Sequence, residues 1–404
     1  MSIGHARGFW VVAAGFLLFM SYSTVPTPLY PLYERADRFP VSVITVIFAA
    51  YALGVMVALV LAGHVSDRVG RRKVLVIATL VAAGSAAMFL IWQQEVAGLI
   101  AARLVNGASI GLFTATATAY LGELRAAARP GESPVFAASI ASAANLGGLA
   151  LGPLVGGLFA ETLPAPLVLP HLVFLVLLLA IALAFMLVPE TVPRPETRVA
   201  YRPQRLSIAP AARAVFRPAA FGAFAGFAVF GLLSSLTPTF LVETFDEGDH
   251  LVAGAVTFAI FGASAFGQLA LGSIALRTQL MLAAIACGAG LVGVAIGAVA
   301  SLLAVFIAGG VIAGLGVGVL FKSAVATAAT VADPQRRGET LALLFLIAYS
   351  GVAFPVLGLG AALVVAPLVP VLVVFTALVL LATVGAALAM RRRVADAVPT
   401  TDER

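Results

Sequence analysis

Apolar runs of about twenty residues follow one another along the whole chain, parted by short breaks that hold arginine, acids, proline or glycine. A bilayer hydrocarbon core about 30 Å thick is crossed by roughly 20 apolar residues in an α-helix. The pattern therefore predicts twelve spanning helices, over 9–30, 43–62, 74–92, 97–120, 135–159, 168–188, 219–241, 251–275, 279–299, 301–325, 340–365 and 367–389. Pro367 and Pro370 divide the last long run into two. The first run follows Arg7, as a secretory leader would. It is too long for a leader's apolar core, and no small-x-small cleavage site precedes the proline-rich Thr24–Tyr33 segment, so it reads as a span.

Hydrophobic residues fill 62% of 404 positions and charged residues only 10%. That little charge cannot cover a soluble surface of this size, so the expected fold class is an all-α membrane protein without a separate soluble domain. Cys287 is the single cysteine, which excludes an intramolecular disulfide and a multi-cysteine metal site. The net charge of +6 raises the question of nucleic acid, but its location answers it. Twenty Lys and Arg residues lie in the loops of one side, from Arg7 and the Arg68–Lys73 cluster to Arg391, Arg392 and Arg393. The other side has two, Arg35 and Arg38. This bias predicts a multi-pass protein of the cell (inner) membrane, both termini cytoplasmic, with the lipid bilayer and no nucleic acid as its partner.

The longest polar stretch, 189–218, carries Pro189, Pro193, Pro195, Pro203 and Pro210 among six arginines, a density that disfavours a continuous helix. It is expected to be a cytoplasmic linker between an N-terminal six-helix bundle, 1–188, and a C-terminal six-helix bundle, 219–404, with a short basic tail. The halves echo each other. Gly63–Arg68 closes the second span as Gly272–Arg277 closes the eighth, and Gly107-x-x-x-Gly111 is matched by Gly314-x-x-x-Gly318. Glycines four apart share a helix face and let another helix approach closely.

The run Gly63-His64-Val65-Ser66-Asp67-Arg68-Val69-Gly70-Arg71-Arg72-Lys73 carries the most specific spacing. Through Gly63, Asp67, Arg68, Gly70, Arg71 and Arg72 it resembles the loop between helices 2 and 3 of the major facilitator superfamily. The resemblance extends over essentially the whole chain and implies two six-helix bundles with helices 1, 4, 7 and 10 around a central cavity. A carboxylate at a helix end can pair with arginines, which is the chemistry of a gating latch. The plainer alternative is a basic loop with an incidental acid. The second half has Leu276 where Asp67 stands, so the latch is expected on one side only.

Gly148-Leu149-Ala150-Leu151-Gly152-Pro153-Leu154-Val155-Gly156-Gly157 resembles the Gly-x-x-x-Gly-Pro-x-x-Gly-Gly pattern of the superfamily's drug–proton antiporters. In a fifth helix, Gly148, Gly152, Gly156 and Gly157 permit close packing and Pro153 bends the chain, a means of sealing the outward side. Generic glycine-rich packing is the alternative. Arg103, with Asn106 and Gly107, resembles the family's fourth-helix Arg-x-x-Gln-Gly with Asn for Gln. An arginine at this depth is a functional candidate, against snorkelling to the interface. Tyr22, Tyr30, Asn145, Phe224, Phe227, Gln268 and Lys322 are candidate substrate contacts. Each has a structural alternative: packing, hydrogen bonding between helices or, for Lys322, reaching the inner interface. A Lys322 that faced the cavity would favour anions.

None of the eighteen acids falls at the middle of a span, where a proton-coupling carboxylate is expected. Glu34 and Glu123 are the nearest candidates; His171 could also titrate, though an interfacial place suits it better. The histidines are scattered, so no metal site is expected, and no cofactor. The absence of a Gly-x-x-x-x-Gly-Lys-[Ser/Thr] loop argues against ATP-driven transport. The expected function is non-enzymatic: a monomeric secondary transporter that exports small amphipathic or aromatic molecules by proton antiport. The alternatives are a transporter of a metabolite such as a sugar or organic anion and, from another class, a non-transporting scaffold or receptor on the same fold.

Overall fold

The structure is a computed structural model that describes residues 3–62, 65–192, 206–271, 274–333 and 336–396. The described residues form helices and no strand. In chain order these are α1 (His5–Thr24), a 3₁₀ turn (Thr27–Leu29), α2 (Tyr30–Asp37), α3 (Val41–Ala62), α4 (Ser66–Val69), α5 (Arg71–Ile91), α6 (Val96–Ala128), α7 (Val135–Thr162) and α8 (Leu169–Met186). A second 3₁₀ turn (Pro210–Ala212) then leads into α9 (Arg213–Phe245), α10 (His250–Ala270), α11 (Leu276–Val299), α12 (Leu303–Val331), α13 (Arg337–Leu363) and α14 (Leu368–Asp396). Among the described residues twelve spans are long and apolar enough to cross a membrane, α1 through α2 counting as one. The chain is an integral membrane protein.

Several spans differ from the pattern's limits, and three of the differences have a plain physical reason. The first breaks at Val25–Leu29, where Pro26 and Pro28 withhold backbone donors, and then resumes as α2. The fourth runs on to Ala128 because its last turns carry Glu123 and Arg125, charges that hydropathy excludes but a helix accepts. The seventh begins at Arg213, inside the stretch expected to be linker, and carries Pro218 within it. Residues 193–205 of that stretch lie outside the described residues.

Two compact units are formed: Met1–Gln204 with Gly248–Phe258, and Arg205–Glu247 with Ala259–Arg404. In unit 1, α3 lies on α6 at backbone contact, since a Cβ on Gly107 would strike the Tyr51 carbonyl and one on Gly111 the Ala58 side chain and Val55 carbonyl. Phe19 of α1 stacks on Phe113 of α6 at 3.8 Å between ring centroids. In unit 2, Gly314 and Gly318 of α12 meet the carbonyls of Ile260 and Ser264 of α10 in the same manner. The second and fourth spans of each half are thus joined by equivalent glycine pairs. Such small-residue contacts carry helix association where lipid removes the hydrophobic drive. The core of unit 2 is closed by Phe216, Leu280, Leu320, Leu344 and Met390.

Candidate functional site

Asp67 sits in the short helix α4 and pairs with Arg71 at the start of α5. Arg71 also donates from Nε (3.1 Å) and Nη2 (2.9 Å) to Glu123 Oε1 near the end of α6, and from Nη1 to Ser66 Oγ (2.7 Å). The second oxygen of Glu123 accepts the Thr191 hydroxyl. Glu190, just past α8, takes the backbone N–H groups of Arg71 (2.8 Å) and Arg72 (3.2 Å), filling the donors exposed at the start of α5. Gly70 makes this possible twice over. Its φ of +107° suits glycine, and a Cβ there would collide with the Glu190 carboxylate. Tyr120 adds a 2.6 Å bond to the Pro189 carbonyl. The latch candidates Asp67 and Arg71 therefore share one network with Glu123, the proton-coupling candidate, and with Glu190 and Thr191, joining α4, α5, α6 and the end of α8. Arg68 is exposed, and Gly63 lies outside the described residues.

The glycines of α7 form a second assembly. Gly148, Gly152 and Gly156 face, in turn, the carbonyls of Leu17 and Ser21 on α1 and of Val25 just past its end, each so near that a Cβ would clash. Pro153 cannot donate to the Leu149 carbonyl, and the Thr24 hydroxyl of α1 supplies that bond at 3.0 Å. Gly157 meets the start of α10 at the His250 carbonyl, while Glu161 accepts the His250 backbone N–H at 3.1 Å.

Arg103 is 1% exposed, so it does not snorkel. Its Nη1 donates to the Ser23 carbonyl (2.9 Å) in the last turn of α1, where helical carbonyls lack partners. Its guanidinium lies over Tyr51 (4.6 Å to the ring centroid), Phe48 (5.7 Å) and Tyr30 (6.0 Å). Nε finds no partner among the described residues, nor do Tyr30 OH, Asn106 Oδ1 and Asn145 Oδ1. Beside this cage the Tyr22 hydroxyl lies 3.4 Å from His171 Nδ1, and the Tyr33 hydroxyl 2.9 Å from His171 Nε2. His171 stacks on Phe89, ring centroids 4.4 Å apart. Its ring is fully buried within the protein.

In unit 2, Phe227 touches the rings of Phe230, Phe321 and Tyr349, and Phe230 stacks on Phe261. Phe224 stacks on the exposed Phe221. Lys322 is half-buried and donates to the backbone carbonyl of Gln268 in the last turn of α10, so these two candidates meet through main chain. Glu34 lies on α2, whereas Glu123 is twenty residues beyond Arg103, about 30 Å along α6. Sequence reasoning missed Tyr33, Tyr51, Glu190 and Thr191 as members of these clusters. The Pro26–Pro31 segment marked the break that brings Tyr30 and Tyr33 inward, and was the available signal.

Taken together, these features define a polytopic helical membrane protein with a charged network around Arg71 and, among the described residues, no group of His, Cys, Asp or Glu able to hold a metal ion. The chain belongs to the Major Facilitator Superfamily, whose family model matches residues 11–356. It is a membrane transporter rather than an enzyme. Two of the solved structures that share the fold illustrate it. The human organic anion transporter MFSD10 (TETRAN) is 19% identical, with a TM-score of 0.66, over 96% of this chain and all of that one. A bacterial homolog of the human lysosomal transporter Spinster, inward-facing and unoccupied, is 14% identical, with a TM-score of 0.72, over 98% of this chain and 99% of its own. No curated protein matches the chain in sequence.

Proposed function

We propose that this transporter exports small amphipathic or aromatic molecules in exchange for protons, by alternating access, as a monomer with both termini in the cytoplasm. The α1–α7 junction carries the reading. The antiporter-type glycines are in backbone contact with α1, and the carbonyl freed by Pro153 is satisfied from α1 by Thr24. A helix pair sealed this tightly restricts leak beside a coupled pathway. The latch of Asp67, Arg71 and Glu123 supplies a charged network of the kind that one end-state can hold and another can break. The test uses an efflux-deficient host and a chemically varied compound panel, followed by proteoliposomes with an imposed pH gradient. Wild-type protein is expected to lower susceptibility and to respond to the gradient, and Arg103→Ala and Asp67→Asn to reduce both. Unchanged susceptibility across the panel would sink drug-type export, and transport indifferent to pH would sink antiport.

A second reading, transport of an organic anion, is favoured by the cations. Arg103 and Lys322 have no carboxylate partner among the described residues, and Lys322 adjoins Phe321 in the aromatic cluster around Phe227. One of the similar folds is an organic anion transporter. Uptake or release of aromatic carboxylates, lost in Lys322→Gln, would select this reading. A scaffold would move neither class of compound.

A further inference from the structure

We propose that the cleft between the start of α5 and the end of α8 binds an anionic phospholipid, its phosphate held by Arg72 and Lys73 and an acyl chain lying on Val76, Ile77 and Met186. The cleft measures about 340 Å³ and is lined by these five residues. Its two cations are not committed elsewhere. Arg72 makes only long side-chain contacts, from Nη1 to the carbonyls of Met186 (3.4 Å) and Val188 (3.3 Å), and no carboxylate pairs with its guanidinium among the described residues. Glu190 takes the backbone N–H of Arg72, not its side chain. Lys73 is exposed and has no hydrogen bond or ion pair among the described residues. Arg71 next door is fully engaged by Asp67, Glu123 and Ser66. The basic run is thus divided between Arg71, paired with acids, and two cations without a carboxylate partner among the described residues.

The remaining walls decide between a phospholipid and a soluble anion. Ile77 is 52% exposed and Met186 58%. Ile77 lies five residues beyond Arg72, about 7.5 Å further along α5. Leu183, 66% exposed, continues the apolar surface up α8. A planar guanidinium and a compact ammonium at headgroup level, with apolar wall beneath them, match a phosphodiester on acyl chains. A soluble phosphate leaves the apolar half of the cleft uncovered. Basic pockets between spanning helices are a known mode of headgroup recognition.

The test is native mass spectrometry of the full-length protein with phosphatidylglycerol and with phosphatidylcholine, paired with a phosphatidylglycerol whose acyl chain bears a photoreactive diazirine. Retention of phosphatidylglycerol over phosphatidylcholine is expected, with photo-adducts on residues 74–80 and 183–188. Removing both cations in R72Q/K73Q should weaken binding about 30-fold, from about fivefold for each cation. Lys73→Glu alone, at an exposed residue, should also lose the preference in a folded protein. R392Q/R393Q removes equal charge elsewhere and should leave binding unchanged. Equal retention of phosphatidylcholine, adducts on other helices, or the same loss in R392Q/R393Q would overturn the proposal. So would glycerol phosphate competing as strongly as the intact lipid.

Discussion

Pro153 has no N–H, so the Leu149 carbonyl one turn earlier depends on the Thr24 hydroxyl of α1. Thr24→Val keeps the side chain's shape and removes that donor. A neutral hydrogen bond contributes about 0.5–1.5 kcal/mol net, and an acceptor stranded in the interior costs about 1–3 kcal/mol. The bond is only part-buried, and the same hydroxyl reaches the Ser21 carbonyl at 3.3 Å, so its single proton is shared. Interhelical side-chain bonds in membrane bundles average about 0.6 kcal/mol. These bounds give about 1 kcal/mol for Thr24→Val. The Pro153→Ala background returns a backbone N–H to the Leu149 carbonyl, and there the same change should cost less than about 0.3 kcal/mol. Unfolding in detergent, followed by the fluorescence of Trp10 and Trp92, reads the effect within unit 1, where both tryptophans lie. Equal losses on the wild-type and Pro153→Ala backgrounds would refute the assignment of Thr24 as the substitute donor.

Gly107→Ala forces a Cβ onto the Tyr51 carbonyl and should lower stability by about 1–3 kcal/mol. Gly84 has nothing within 4 Å, so Gly84→Ala should stabilise α5 by up to about 1 kcal/mol; thermal melts of the two variants must move in opposite directions. Tyr33→Phe removes the 2.9 Å partner of His171 Nε2 and should cost about 1–3 kcal/mol in the same melts. In the network about Arg71, the Arg71 side chain is 12% exposed and Glu123 35%, which places their coupling between surface and buried pairs, at about 1 kcal/mol in a double-mutant cycle. If Glu123 acts in the latch, Glu123→Gln in proteoliposomes keeps its response to a pH gradient; a variant that loses that response but still exchanges substrate would make Glu123 the proton carrier.

The twelve spans could be read from the chain because lipid demands apolar length, a demand that composition states directly. Their polar ends could not. Glu123 and Arg125 look like loop residues to hydropathy, yet they belong to α6 because Arg71 and Glu132 pair with them. The spacing from Asp67 to Arg72 was visible, but the acids that complete the charge network about Arg71 were not. Glu190 meets the Arg71 backbone across 119 residues of chain, and no local pattern links the two. His171 shows the same limit. Its place at the start of a span says nothing of its neighbours, whereas the proline break after Thr24 turns Tyr33 inward and Phe89 of α5 supplies a ring to stack on, so a polar ring is fully buried.

What is repeated and what is not repeated separate packing from chemistry. The α3–α6 contact at Gly107 and Gly111 returns as the α10–α12 contact at Gly314 and Gly318, because close helix approach needs only the absence of a side chain. The charge network about Arg71 needs Asp67 and two further acids in register, and the second half offers Leu276 where the first has Asp67. Arg277, the counterpart of Arg68, is exposed and has no ion pair among the described residues. The buried cations divide likewise. Arg103 of unit 1 is held by three aromatic rings and one carbonyl at the break in α1, while Lys322 of unit 2 is half-buried and holds the last turn of α10. The frame is duplicated and its charges are not, so substitutions at paired glycines should act alike in stability, and substitutions at Asp67 and Leu276 should not.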